Sequence, residues 1–418
     1  MGGDSKNIRM SKHSGAQVQK QTGVAISLVC VAHFCSHFNL MLLPPLLPVI
    51  AEYLETGFTQ IGFALMAYSV VSALTQAPIG FLVDRVGAPV ILVAGVCLEG
   101  LAFAAIGLAP TFSVFVMLLG IAGIANAVYH PANYSILNQV VPSARIGRAF
   151  SYHTASGLFG EALAPASVLL LSALIGWRYA LVACGLVSVT VAVVMLLNMQ
   201  LLKSSAAERR GDQPQDSSRS RSARQLLLSA PVVMGLLFFV GISLTTRGVN
   251  GFSVSALHVG HGMSLGAAGT LLSVWLIAAP LGVLAGGQLA DRHAQHAQLI
   301  GSCFLVISVC LGGLVFVAPN FALSALLFAI GGFAAGVVSP SRDMLIRSIT
   351  PPGQSGKVFG FVSTGFNIGG MLAPPIYGFL LDRSMANGVF WMAALASMLT
   401  IVTVLSTRRL GRTRLAAG

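Results

Sequence analysis

An ionisable side chain at the centre of a lipid barrier costs on the order of 3 kcal/mol, so each one set in a long apolar stretch asks for a use. The chain has few of them: His33 and His37, Glu99, His130, His153, Glu161 and Arg247. His33 and His37 stand four apart and share a face of any helix that holds them, and such imidazoles take up and release a proton near neutral pH. The alternative is that both rings hydrogen-bond to neighbouring backbone. Glu161 offers a carboxyl suited to the same reversible proton carriage. Gly157 and Gly160 beside it mark a tight helix contact, and the alternative there is a protonated acid bonded to a partner on helix four. Arg247 cannot discard its charge and presents a planar fork that matches carboxylate or phosphate, which predicts an anionic solute. It sits in Thr245-Thr246-Arg247-Gly248-Val249-Asn250-Gly251, whose hydroxyls, amide and glycines predict a backbone that opens around a ligand. The alternative is an arginine snorkelling to the headgroups.

The elements that must position these groups follow from composition. Of 418 residues, 55% are hydrophobic and only 9% charged, with a mean hydropathy of +0.83, far from the roughly 25% charged residues of soluble domains. Each helical crossing of a bilayer needs about 20 apolar residues, which leaves room for about a dozen. The apolar runs predict helices over residues 23–51, 58–83, 88–109, 111–138, 147–175, 177–202, 229–257, 264–290, 297–318, 320–346, 355–381 and 386–407. They lack the alternation of a membrane barrel. The first run is too long, and lacks the small-residue cleavage site, to be a removable signal peptide.

A net charge of +12 suggests nucleic acid only until the basic residues are placed. All Lys and Arg except Arg178, Arg247 and Arg383 fall in the tails or at even-numbered joints, which predicts cytoplasmic termini and no nucleic-acid partner. The expected organisation is a basic cytoplasmic tail over residues 1–22, a first bundle over 23–202, a disordered cytoplasmic linker over 203–228, a second bundle over 229–407 and a tail over 408–418. The linker, KSSAAERRGDQPQDSSRSRSARQ and the residues after it, is tether and topology determinant.

The six cysteines lie inside apolar runs without Cys-x-x-Cys and read as small buried residues. His258, His261, His293 and His296 fall in joints with no carboxylate at metal-ligand spacing, so no metal is expected. No Gly-x-x-x-x-Gly-Lys-Ser/Thr loop occurs, so neither a nucleotide engine nor another cofactor is expected.

The phrase Gly80-Phe81-Leu82-Val83-Asp84-Arg85-Val86-Gly87 returns as Gly287-Gln288-Leu289-Ala290-Asp291-Arg292 and as Gly378-Phe379-Leu380-Leu381-Asp382-Arg383. Across the linker, Pro142, Gly147, Arg148, Phe150 and Pro165 meet Pro351, Gly356, Lys357, Phe359 and Pro374 at one constant offset. A duplicated six-helix unit, itself a nested pair of three-helix repeats, is the economical explanation.

Gly80-x-x-x-Asp84-Arg85-x-Gly87 resembles the hairpin signature of the major facilitator superfamily of secondary transporters, and the resemblance extends over nearly all of residues 23–407. Val128-Tyr129-His130-Pro131 with His33-Phe34 is similar to the fosmidomycin-resistance type of efflux carrier. The arginine that drug/proton antiporters carry in helix four is absent near Leu119, and Gly157-x-x-Gly160-Glu161-x-x-x-Pro165 matches their glycine-proline motif only in part. The resemblance implies an all-α polytopic membrane protein of twelve transmembrane helices in two pseudo-symmetric six-helix bundles, working as a monomer by alternating access. It turns part of helix one toward a central cavity and makes helix three, with Glu99, peripheral, so that Glu99 has a structural or interfacial role. It makes Asp84 and Arg85, with Gly80, Gly87, Asp291 and Arg292, a latch on the cytoplasmic side, Asp84 lying near the start of helix eleven around residues 354–356.

The resulting expectation is a secondary transporter in a bacterial inner membrane, coupled to protons through His33, His37 and Glu161. Arg247, Thr246, Asn250, Asn126 and Asn367 would bind a small organic anion, with His130 and His153, nearer the cytoplasmic ends, as gate candidates. Proton-driven efflux of an amphipathic toxic compound is the alternative. A membrane sensor is less favoured, because linker and tail offer no folded output domain, and an enzyme is disfavoured because the acids and histidines are scattered.

Overall fold

The computed structural model of the chain describes residues 4–142, 145–203, 225–292, 295–318, 320–351 and 354–416. Residues 204–224 of the expected linker, and His293, lie outside the described residues. The described residues form helices and no strand. Eleven spans are long and apolar enough to cross a membrane: span one Gln21–Tyr53, two Phe58–Val86, three Ala88–Ile106, four Phe112–Val140, five Ile146–Ile175, six Trp177–Leu197, seven Ala230–His261, eight Leu265–Ala290, nine His296–Val317, ten Phe321–Ser348 and twelve Ala386–Thr407. Span eleven, Ser355–Asp382, completes the twelve, its apolar run diluted by Asn367, Gly369, Gly370, Pro374 and Pro375. The first helix starts at Asp4 and the last continues to Ala416, beyond the expected 23 and 407. Apolarity marks what the bilayer requires, not where the backbone ladder stops.

Two spans change course where proline removes a donor. In span one the α-helix ends at Leu42, a 3-10 turn occupies Pro44–Leu46, and the helix resumes over Leu47–Tyr53. In span four the helix Phe112–Asn126 stops and Tyr129–Val140 begins anew, because Pro131 has no N–H to return to the carbonyl of Ala127.

The duplication is visible in the packing. Span one packs on five as seven packs on eleven; three on six as nine on twelve; and two on four as eight on ten. Two six-helix bundles result, joined chiefly by span two against eleven and span five against eight. The described joints after odd-numbered spans lie on one face, called the odd face, and the described joints after even-numbered spans on the other, the even face.

The bundles close on each other at the odd face. Gly62 presses so near the backbone of Pro374 and Pro375 that a β-carbon has no room. Span two begins at Gly57, which has no side chain to cap the helix, and Asp382 of the other bundle supplies the cap. Its carboxylate accepts from the N–H of Phe58 (2.7 Å), the N–H of Thr59 (2.8 Å) and the hydroxyl of Thr59 (2.5 Å). The third copy of the hairpin phrase thus ends in a contact between bundles. Two arginines that break the charge pattern also belong to this face: Arg178 lies 4.4 Å over the Tyr53 ring and donates to the Gly107 carbonyl (3.0 Å), and Arg383 lies over Phe379. At the even face span two runs on to Val86, so Asp84 and Arg85 ride its last turn rather than a joint, and both are exposed. Gly87 follows with φ +103°, the turn into span three.

Candidate functional site

Between the bundles lies a cavity of about 460 Å³. Spans one and five supply its N-terminal wall, His37, Met41, Leu158 and Glu161; the rest comes from spans seven to eleven. The wall works because spans one and five meet almost backbone to backbone: a β-carbon on Gly160 would lie 2.5 Å from the Phe34 carbonyl oxygen. That approach brings His37 Nδ1 within 2.7 Å of Glu161 Oε1, with the side chains 28% and 20% exposed. Imidazole and carboxyl are thus at hydrogen-bonding distance. The partner of Glu161 is therefore on span one and not on span four.

His33 is buried and donates from Nδ1 to the His153 carbonyl oxygen (2.7 Å), as the backbone alternative required, while its Nε2 has no partner among the described residues. The His33 and His153 rings stack at 3.7 Å, and His33 lies 4.6 Å from the His37 ring and 5.8 Å from that of His130. His153 Nε2 meets the Asn133 amide at 3.0 Å. His130 is exposed, but His153 is buried rather than at a watery helix end. Spacing along one helix cannot show that spans one, four and five gather all four imidazoles. Among the described residues no group of three or more His, Cys, Asp or Glu is disposed to hold a metal.

Glu99 is fully buried behind this cluster and accepts from the Tyr129 hydroxyl (2.6 Å) and the Asn39 amide (3.3 Å); Asn39 in turn bonds Ser188 (3.0 Å). The network ties spans one, three, four and six together. Asn126 does not line the main cavity; it accepts a long bond from Ser72 (3.4 Å).

Opposite Glu161 stands Arg247, near the middle of span seven and facing the cavity rather than the headgroups. Among the described residues no hydrogen bond or ion pair engages it, the ion pairs being His37–Glu161 and Arg342–Asp343. Asn250, one turn on, also faces the cavity, its buried Oδ1 without a partner among the described residues. Thr246 and Asn367 line it too. The expected opening of the backbone is absent: span seven is one unbroken helix, the hydroxyls of Thr245 and Thr246 return to the carbonyls of Gly241 (3.0 Å) and Ile242 (2.9 Å), and Gly248 receives the ring of Tyr377. The glycine serves packing between spans seven and eleven.

Arg342 of span ten is the residue that sequence reasoning missed, its charge being assigned to the neighbouring even joint. It lines the cavity, lies 5.4 Å over the Phe239 ring and 5.5 Å over that of Phe366, and donates from Nε to Asp343 (2.8 Å). The available signal was its place inside the expected helix 320–346. Trp275, Phe304 and Phe366 give the cavity an aromatic wall.

Among the described residues no ion pair joins the latch candidates. Asp84, Arg85 and Arg292 are exposed, Gly80 has open space about it, and the side chain of Asp291 lies outside the described residues. No hydrogen bond joins Asp84 to residues 354–356 among the described residues.

Comparison with known proteins agrees with this architecture. The family model described as Major Facilitator Superfamily matches residues 29–255 and again 236–416. The probable sulfoacetate transporter SauU of Cupriavidus necator is 23% identical over 406 residues, covering 91% of this chain and 94% of that protein. The fosmidomycin resistance protein of Escherichia coli is 22% identical over 382 residues, 91% of each. Among solved structures, a bacterial homolog of the human lysosomal transporter Spinster, inward-facing and unoccupied, superposes with a TM-score of 0.76 at 14% identity, covering 95% of this chain and 98% of that one.

Proposed function

The chain belongs to the major facilitator superfamily of membrane transporters, and on that premise we propose that it carries a small organic anion across the bacterial inner membrane by alternating access, coupled to protons. The observation that carries the reading is the guanidinium of Arg247, unengaged among the described residues, with the unpartnered amide oxygen of Asn250, facing the hydrogen-bonded pair His37–Glu161 across one cavity. A fixed cation in a partly desolvated site lowers its own free energy by taking an anion. Sulfoacetate, named for one relative, is such an anion, and fosmidomycin, named for another, is a phosphonate.

Charge balance links the two sides of the cavity. With the proton lost from His37 and Glu161, the carboxylate answers Arg247 across the cavity. With proton and anion both bound, each bundle carries a compensated site. Either state crosses the low-dielectric barrier at less cost than Arg247 alone. His33 is the other proton-coupling candidate, since its ring lies 4.6 Å from that of His37 and its Nε2 has no partner among the described residues, and His130 and His153 make up the gate candidates behind it. The distribution of Lys and Arg makes the even face cytoplasmic; with the odd face closed, the cavity then serves the cytoplasmic side in this state. Asp84 and Arg85 latch that side when the carrier reverses.

Efflux of an amphipathic compound is the second reading, favoured by the aromatic wall of Trp275, Phe304 and Phe366. Purified protein in liposomes with an internal pH dye separates the two. Arg247→Ala should abolish the response to carboxylates, sulfonates and phosphonates and spare neutral drugs; anion transport that survived unchanged in this variant would sink the anion reading.

A further inference from the structure

The anion reading leaves part of one guanidinium in the cavity unused. Arg247 and Arg342 both line it, from spans seven and ten, and among the described lining residues the only carboxylate is that of Glu161, which His37 already engages. Asp343 is not part of the lining and its side chain is 54% exposed. It takes only the Nε of Arg342, and among the described residues no hydrogen bond engages the two terminal nitrogens of that guanidinium. Phe239 and Phe366, whose rings meet edge to face, flank the group on one side, at 5.4 Å and 5.5 Å from the ring centroids, and the terminal N–H groups keep their capacity to donate to a ligand.

We infer that Arg342 is a second anion-binding group, and that the solute is a compact dianion bearing two acidic functions on a short carbon frame, one on Arg247 and the other on Arg342. The inference rests on the anion reading above and names the substrate class within it. A monoanion on Arg247 engages one fork and leaves the terminal N–H groups of the other without a charged acceptor, so it forgoes the charge-assisted bonds that they can make. A second acidic group at the far end of the solute satisfies both. The amide groups of Asn250 and Asn367 then serve the frame between them. Arg342 thereby sets specificity, while Arg247 secures binding of any anion.

Calorimetric titration of the purified protein in detergent at neutral pH tests this, with malonate, succinate and sulfoacetate set against acetate, butyrate and methanesulfonate. The wild type should bind at least one dianion roughly 10- to 100-fold more tightly than its matched monoanion, the span expected for charge-assisted hydrogen bonds. Arg342→Gln should collapse that ratio toward one. Arg342→Lys, which keeps the charge and loses the fork, should reduce it several-fold and serves if the glutamine variant does not fold. Equal affinity for matched mono- and dianions in the wild type, or a proportional fall for both in Arg342→Gln, would overturn the assignment of Arg342 while the anion reading stands. If the wild type binds none of the six anions, the anion reading falls and this inference with it.

Discussion

Replacing Asp382 with alanine removes three acceptor contacts from the first turn of span two, at 2.7, 2.8 and 2.5 Å, all made across the two bundles. The loss is felt only while the odd face is closed. Once the bundles part there, carboxylate and amides both face water, and the substitution changes little. The site is exposed, so each bond contributes far less than its gross strength: truncating an N-cap residue costs about 0.5–2 kcal/mol, and an exposed charge at a helix N-terminus adds about 0.3–1 kcal/mol. A combined loss of about 1–2 kcal/mol shifts the ratio of closed to open odd face by roughly 5- to 30-fold. Spin labels at the exposed residues Glu52 and Met385, one on each bundle at the odd face, report the separation as a distance distribution. Asp382→Ala should gain a longer-distance population, with Asp382→Asn, which keeps one acceptor oxygen, between the variant and the wild type. An unchanged distribution in Asp382→Ala would refute the reasoning, since it would mean that the cap does not bias the two states. High salt should shift the wild type toward the variant by screening the dipole contact.

Two further outcomes follow from the site. Glu161→Gln keeps the shape of the side chain and removes its proton chemistry, so anion binding should persist while accumulation driven by a pH gradient is lost; accumulation at the wild-type level would discard the coupling role. Gly160→Val places a β-carbon 2.5 Å from a backbone oxygen that has no room to yield, an overpacking worth about 1–3 kcal/mol, and should lower the unfolding midpoint in detergent, whereas Gly147→Ala, with open space around its α-carbon, should not.

Much of the fold was legible because burying charge in lipid is costly. The apolar runs give the number of the spans, and the Asp-Arg hairpins give the duplication. Arg247 was found for the same reason, as a permanent charge deep in an apolar run. What the sequence hides is partnership between helices. Heptad-like spacing shows that His33 and His37 share a face, but not that His153 stacks on it or that Glu161 meets His37. Gly248 and Gly251 read as places where the backbone opens, yet the structure spends Gly248 on the ring of Tyr377. Arg342 was lost because a basic residue near a helix end is usually a topology marker, and only the cavity distinguishes it. Asp382 reads as one more hairpin acid until the tertiary structure places the start of span two against it.

The interruption in span four has a consequence for how motion divides. Its first segment, Phe112–Asn126, lies along spans two and three, while Tyr129–Val140 reaches span one as well and touches span two less. Since Pro131 already omits a rung of the ladder, the second segment tilts as a separate lever without rupturing further backbone pairing. The imidazole of His130 and the amide of Asn133 ride on that lever, whereas His33 stays with the long helix of span one. A small swing would therefore retune the contacts among the rings while the part of the bundle packed on span two keeps its shape.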